Sequence, residues 1–309
     1  MAARKTPSPD PRKFPRYAGM STFFRFPYEP NPTAVDWALY GMPFDQTTTY
    51  RSGARFGPRA IREQSAYIKP YHLSFKQDLL ERYSLVDAGD SPVSPYSIQE
   101  TLELQESFCA GWAEKGARCF AVGGDHSIAL ANIRVARKRS QKPLALIHFD
   151  SHTDTVDELW GEKYTHAAPV RRAIEEGLVE PGKILSIGIK GPVNTAEELQ
   201  WGLQNGIQYV TYEDWRAEGL KRVSDFAKSL KDQEAYLSFD IDCLDPTFAP
   251  GTGTPSVGGF SSAEAIELVR QFRGLNLQGA DLVEVAPDLD PGYTTALLGA
   301  HLIFEILSL

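Results

Sequence analysis

Leu144-Ala-Leu-Ile-His-Phe149 runs directly into Asp150-Ser-His-Thr-Asp154. A nearly unbroken apolar run of this length predicts a strand covered on both faces, as inside a parallel sheet. The polar cluster behind it marks the carboxyl end of that strand, where open α/β sheets and α/β barrels hold their ligands. Working outward, β-rich runs recur at Asp36–Tyr40, Ser84–Asp87, Arg118–Val122, Ile184–Ile189, Gln208–Thr211, Ala235–Phe239 and Gly279–Val285. Helical patterns lie between most of them. Ile98–Lys115 is the longest, Ser127–Arg139 begins with a cap-type serine, and Ser261–Phe272 opens on the capping-box spacing Ser-Ser-Ala-Glu. Eight strands alternating with helices read as an α/β fold with a mostly parallel sheet. The pattern alone leaves an open three-layer αβα sandwich and a closed eightfold barrel both standing.

The chain has 309 residues, with 40 acidic against 32 basic side chains and a net charge of −8. That balance argues against a general nucleic-acid or anionic-membrane binder. No apolar run approaches the roughly 18 residues that a membrane span needs. Three cysteines, Cys109, Cys119 and Cys243, make no disulfide framework, and a reducing, cytoplasmic setting is expected. Residues 1–16 are rich in proline and basic residues and lack the apolar stretch of a secretion signal. They are expected to form a flexible arm before a single catalytic domain spanning 17–309.

Four polar clusters fall at expected strand ends: Gly123-Gly-Asp-His126, Asp150–Asp154, Asp240-Ile-Asp242 and Glu284. If strand alternation continues, Asp150, His152 and Asp154 point one way, and so do Asp240 and Asp242. Buried carboxylates are costly unless paired or bound to metal, and the flanking apolar strands offer no matching Lys or Arg. A bound cation is the simplest solution. His126, Asp150, His152, Asp154, Asp240 and Asp242 are too many ligands for one tetrahedral zinc. Two bridged divalent ions fit better, with Mn²⁺ favoured for this oxygen-rich set and Ni²⁺, Fe²⁺ or Co²⁺ as further options.

Other features have plainer readings. Gly251-Thr-Gly-Thr254 lacks the Lys-Ser/Thr of a phosphate loop. His148 is expected deeper in the sheet as a hydrogen-bonded histidine. His72 and His301 read as structural or surface residues, Cys243 has no nucleophile motif, and Arg171-Arg172 with Glu175-Glu176 reads as a solvated helix face.

Taken together, Gly123–Ser127, Phe149–Thr155, Ser238–Pro246 and Asp281–Pro287 resemble the ureohydrolase (arginase/agmatinase) superfamily. The stretch Ser238-Phe-Asp-Ile-Asp-Cys-Leu-Asp-Pro-Thr-Phe-Ala-Pro-Gly-Thr-Gly-Thr-Pro255 and the earlier Arg51-Ser-Gly-Ala-Arg-Phe-Gly-Pro-Arg-Ala-Ile-Arg62 resemble its agmatinase and guanidinobutyrase branch. The resemblance implies an open three-layer αβα sandwich with an eight-stranded sheet, assembled as a homo-oligomeric trimer or hexamer. It implies one metal on His126, Asp150, Asp154 and Asp240, and a second on Asp150, His152, Asp240 and Asp242. It assigns proton shuttling to His166, proton relay to Asp154, guanidinium binding to Glu284 and pocket lining to Thr254.

The implied reaction is hydrolysis of a small guanidino compound to urea and an amine. Agmatine is the leading substrate and 4-guanidinobutyrate the next. Ser151 replaces the family's alanine, a tolerable small hydroxyl, while two departures bear on substrate identity: His166-Ala167-Ala168 lacks the usual glycine and hydroxyl, and Pro287-Asp-Leu-Asp290 lacks a tyrosine. They keep another substituted guanidine or a biguanide, with nickel, as the alternative. A non-catalytic subunit of a hetero-oligomer is the rival of a different class, and the full set of six ligand residues stands against it.

Overall fold

The eight β-rich runs all form strands: β1 (Trp37–Gly41), β2 (Leu85–Asp90), β3 (Arg118–Val122), β4 (Leu144–Phe149), β5 (Val179–Ile189), β6 (Ile207–Thr211), β7 (Glu234–Asp240) and β8 (Asn276–Val283). They make one sheet in the order β2-β1-β3-β8-β7-β4-β5-β6, with every neighbouring pair parallel. The computed structural model describes residues 4–309. Because β2 and β6 each have one strand neighbour, the sheet is open, which settles the choice between sandwich and barrel.

Two apolar layers cover the sheet. On one face Ile61, Phe226, Leu268, Val269 and Ile303, from four different helices, pack against Leu39, Ile147, Leu237 and Leu282. On the other, Leu102, Trp112, Ile133, Val135 and Ala173 cover Ala38, Ala121, Leu146 and Tyr236. Phe149 and Phe239 are paired across β4 and β7, and their rings stack at 4.9 Å between centroids.

The strand order explains how distant clusters meet. β3, β8, β7 and β4 are consecutive neighbours in the middle of the sheet. The four polar clusters follow these four strands and no others. Pairing of Leu282 with Val122, Val283 with Asp240, and Phe149 with Phe239 brings their carboxyl ends level. Loops that are far apart in the chain therefore emerge side by side.

Several local expectations need correction. The helix Ala129–Arg139 is preceded by a 3₁₀ turn, His126–Ile128, whose cap is Asp125 accepting from the Ser127 amide, so Ser127 is not the cap. A short hairpin, Tyr71–His72 with Gln77–Asp78, has too few residues to show a period in sequence. The capping box at Ser261 and Glu264 forms as read. Of the arm expected over 1–16, residues 1–3 lie outside the described residues. Thr6 is buried, its hydroxyl donates to the Tyr83 carbonyl at 2.6 Å, and Arg4 pairs with Asp78, so the arm is fastened to the body at this point.

Candidate metal centre and active site

β4 ends at Phe149, and the five residues after it are not strand. The alternation expected for Asp150, His152 and Asp154 therefore gives way to a folded loop, in which Asp154 takes the left-handed conformation at φ 51°. The loop is built by its own polar groups. Asp150 accepts from the His152 amide at 2.6 Å, and Asp242 accepts from the Ser151 amide and hydroxyl at 3.1 and 2.7 Å. After β7, Asp240 caps the next turn by accepting from the Asp242 amide at 2.8 Å.

These turns gather carboxylates around two histidines. His126 Nδ1 lies 2.8 Å from Asp154, 3.0 Å from Asp150 and 3.3 Å from Asp240. His152 Nδ1 lies 3.1 Å from Asp242 and 3.3 Å from Asp150. All six ligands expected from sequence thus converge, with Asp150 reaching both histidines. His126, His148, Asp150 and Asp154 form one group able to hold an ion, and Asp150, His152 and Asp242 form another. Asp240 joins the first through His126. His148 stands closer to the centre than expected: its Nε2 is 3.0 Å from Asp150, and its Nδ1 meets the Ser186 hydroxyl at 3.0 Å.

The fit to cations rests on orphaned atoms. His126 Nδ1 and Asp154 Oδ2 are buried without a properly directed hydrogen bond, although they are close together. Proximity without hydrogen-bond alignment is what ligand atoms show when they are aimed at a common ion rather than at each other. The electrostatics of the cluster agree. Burial and the neighbouring Asp242 and Asp150 push Asp240 well above the usual carboxylate range, and burial with Asp150 raises Asp154. Burial works against charged His126 and His152, yet the surrounding carboxylates hold both well above the ordinary histidine value. Asp150, buried between His126, His148 and His152, is held well below the usual carboxylate range instead. Among the described residues Lys190 is the one nearby buried amine, and it is spent on a main-chain carbonyl, that of Asp242, at 2.6 Å.

A second network aims the first. His126 Nε2 meets the Ser238 hydroxyl at 2.7 Å, and Ser238 donates to Asp281, which also accepts from Tyr236 at 2.6 Å. With Asp281 as the terminal acceptor, this chain fixes the ring orientation and presents Nδ1 to the centre. Sequence reading missed it, because Ser238 and Asp281 sit inside strands. The available signal was one polar residue inside each otherwise apolar run, Ser238 in Ala235–Phe239 and Asp281 in Gly279–Val283.

Beside the carboxylates lie the other expected residues. Glu284 follows β8 in the left-handed conformation at φ 63°. Its Oε1 accepts from the His126 amide and faces His166 Nδ1, each at 2.9 Å, while its buried Oε2 has no partner. Burial favours neutral His166, but Glu284 outweighs it and raises the imidazole to about 9. His166 Nε2 meets the amide and hydroxyl of Thr49, a residue not singled out from sequence. Thr254 approaches Asp242 at 3.5 Å. His152, Asp154, His166, Asp240 and Thr254 line one cavity of about 330 Å³, and Glu284 stands behind His166. Arg172, expected on a solvated face, is buried and binds Asp157 at 2.7 Å, so it pins the loop leading to His166.

Comparison with known proteins agrees with this geometry. Residues 35–308 match the model of the arginase family. The chain is 40% identical to guanidinopropionase of Pseudomonas aeruginosa, over 97% of its own length and 94% of the relative's. It is 39% identical to an agmatinase of Neisseria meningitidis, over 93% of this chain and 92% of that one. The solved structure of proclavaminate amidinohydrolase from Streptomyces clavuligerus superimposes with a TM-score of 0.91 at 35% identity, covering 96% of this chain and 98% of that one.

Proposed function

The chain belongs to the arginase family, and we propose that it is a binuclear metal-dependent amidinohydrolase that cleaves a guanidino compound to urea and an amine. One observation supports the reading: six carboxylate and imidazole side chains from three separate segments converge at the ends of central strands, and His152, Asp154 and Asp240 among them line a cavity together with His166. Two divalent ions, Mn²⁺ in first place and Ni²⁺ in second, would be held by His126, Asp150, Asp154 and Asp240, and by Asp150, His152, Asp240 and Asp242. When bound, such ions supply hydroxide at neutral pH by lowering the pKa of water from about 15.7 to about 7.

The remaining work falls to the protein's own groups. A guanidinium carbon is a poor electrophile, so its plane must be fixed for attack. Glu284, with Oε2 free, can take the guanidinium directly or through the groups it orients. Asp154 can accept a proton at Oδ2 and pass it on. His166, raised by Glu284, can hold a proton for the departing amine, a poor leaving group until protonated.

Agmatine is the favoured substrate, with 4-guanidinobutyrate or another substituted guanidine, including a biguanide, as the alternative. A cytoplasmic homo-oligomer, trimeric or hexameric, is the proposed setting. The full ligand set disfavours a non-catalytic subunit. The test is urea release from a panel of guanidino compounds by purified protein loaded with Mn²⁺ or Ni²⁺. Two bound metals per chain with no urea from any compound would overturn the proposal.

A further inference from the structure

Family membership leaves open the charge at the far end of the substrate, since the relatives include proteins named for guanidino acids and for agmatine. A tail preference rests on the amidinohydrolase reading and deepens it. Leu159 and Trp160 on one loop and Val193 and Asn194 on another line the same cavity, and the exposure of Trp160 and Val193, against buried His166 and Asp240, marks their side as its outer half. Glu198, in the first turn of the helix Ala196–Gln204, is half-buried and also lines the cavity. Among the described residues lining the cavity none is Lys or Arg.

Lys190, Arg51 and Arg171 are engaged elsewhere, and Lys163, exposed in the Trp160 loop, is not part of the lining. Lys190 donates to the Asp242 carbonyl, Arg51 donates to the carbonyls of Thr252 and Gly253, and Arg171 pairs with Asp157 and Glu175 while lying 4.5 Å over Trp201. Glu198 is half-buried, and its Oε1 accepts from Asn194 at 3.2 Å. A carboxylate placed in the outer half would face Glu198 with no cation to offset it. A cationic group there would find a carboxylate already steadied by an amide.

We infer that the outer half of the cavity is a subsite for a carboxylate-free tail bearing a second cationic nitrogen group, with Glu198 as the residue that reads it. The substrate class is therefore a guanidino compound with an amine or second amidine-type group at its far end. Trp160, Leu159 and Val193 cover the connecting carbons and contribute no charge selectivity.

The experiment compares three compounds of matched length that differ in tail charge: agmatine, butylguanidine and 4-guanidinobutyrate. Urea release by the metal-loaded full chain should give kcat/KM in the order amine, neutral, acid. Glu198→Gln should shrink the preference for agmatine over butylguanidine about two- to fivefold, mainly through KM, and Glu198→Asp should retain most of it. The wild-type series needs no variant, so the assignment stays testable if Glu198→Gln fails to fold. Turnover of 4-guanidinobutyrate equal to or above that of agmatine, or an unmoved ratio in a folded Glu198→Gln, overturns the tail assignment alone. Absence of urea from all three compounds removes the activity beneath it as well.

Discussion

The backbone amide of Thr49 donates to Nε2 of His166 at 3.1 Å, although the two residues lie 117 positions apart. The Thr49 hydroxyl meets the same nitrogen at 2.9 Å. A main-chain amide can only donate, so in the neutral ring it favours the tautomer with Nε2 bare and Nδ1 carrying the proton toward Glu284, and it works against the second proton that Glu284 attracts. Thr49 itself is held by its loop, in which Thr47 donates to Asp125 and Asp45 accepts from the Gly53 amide. The loop after β1 thereby bears on the tautomer of a neighbouring histidine that lies 117 positions later in the chain.

Thr49→Val keeps the amide and removes the hydroxyl. One hydrogen bond of about 0.5–1.5 kcal/mol is lost, so kcat is expected to fall two- to tenfold with unchanged metal content, and Thr49→Ser is expected to restore it. Steady-state urea release across pH checks this. An unchanged pH profile and kcat in Thr49→Val would remove Thr49 from the positioning of His166.

Glu284 holds the His166 imidazole up at about 9, above its ordinary 6.5. A raised histidine stabilises the fold fully below the unfolded value, and that contribution disappears as pH climbs through about 9. In Glu284→Gln the attraction is gone while burial remains, so the titration should shift down. NMR of the His166 ring in metal-free protein reads both values. A midpoint that stays near 9 in the variant would show that Glu284 is not the cause.

Ser238→Ala cuts the chain from His126 to Asp281 and leaves every ligand in place. Loss of such a supporting bond typically weakens metal binding 10- to 100-fold. Metal titration should show this at the ion held by His126, with the other site less affected. His152→Asn should instead empty the second site and lower turnover with it. Equal, undiminished occupancy of both sites in the two variants would contradict the assignment.

The chain states its architecture openly because hydrophobic periodicity is local: all eight sheet strands coincide with runs visible in sequence, and Arg118–Val122 and Leu144–Phe149 agree to the residue. The residues proposed as ligands are equally visible, since acids that directly follow apolar strands conflict with burial. Three kinds of feature were hidden. The sheet order is a matter of long-range pairing, so nothing near Asp240 says that Val283 will be its neighbour. Thr49 and Ser238 act through residues more than a hundred positions away and belong to the commonest polar types. Asp154 departs from strand alternation because the loop is shaped by hydrogen bonds to Asp150 and Asp242, which only the folded chain brings together.

Asp154 also shows what the site costs the fold. It is a buried carboxylate at φ 51°, beside Asp150, with one oxygen unpartnered. A non-glycine residue held in this region costs of order 1–3 kcal/mol, and burial with a like charge adds to it. Asn tolerates the left-handed conformation better and carries no charge. Metal-free Asp154→Asn is therefore expected to melt about 2–4 °C above the metal-free parent, while urea release collapses. The sign of the pH dependence follows from the raised carboxyl. Its folded form binds a proton more tightly than its unfolded form, so it destabilises progressively as pH rises above the ordinary carboxylate range. The gain in the variant should accordingly be larger at pH 8 than at pH 5. Calorimetric scans of both proteins at the two pH values decide it: a lower melting temperature in the variant, or a gain that shrinks as pH rises, would mean that Asp154 is not a strained and repelled group awaiting a cation.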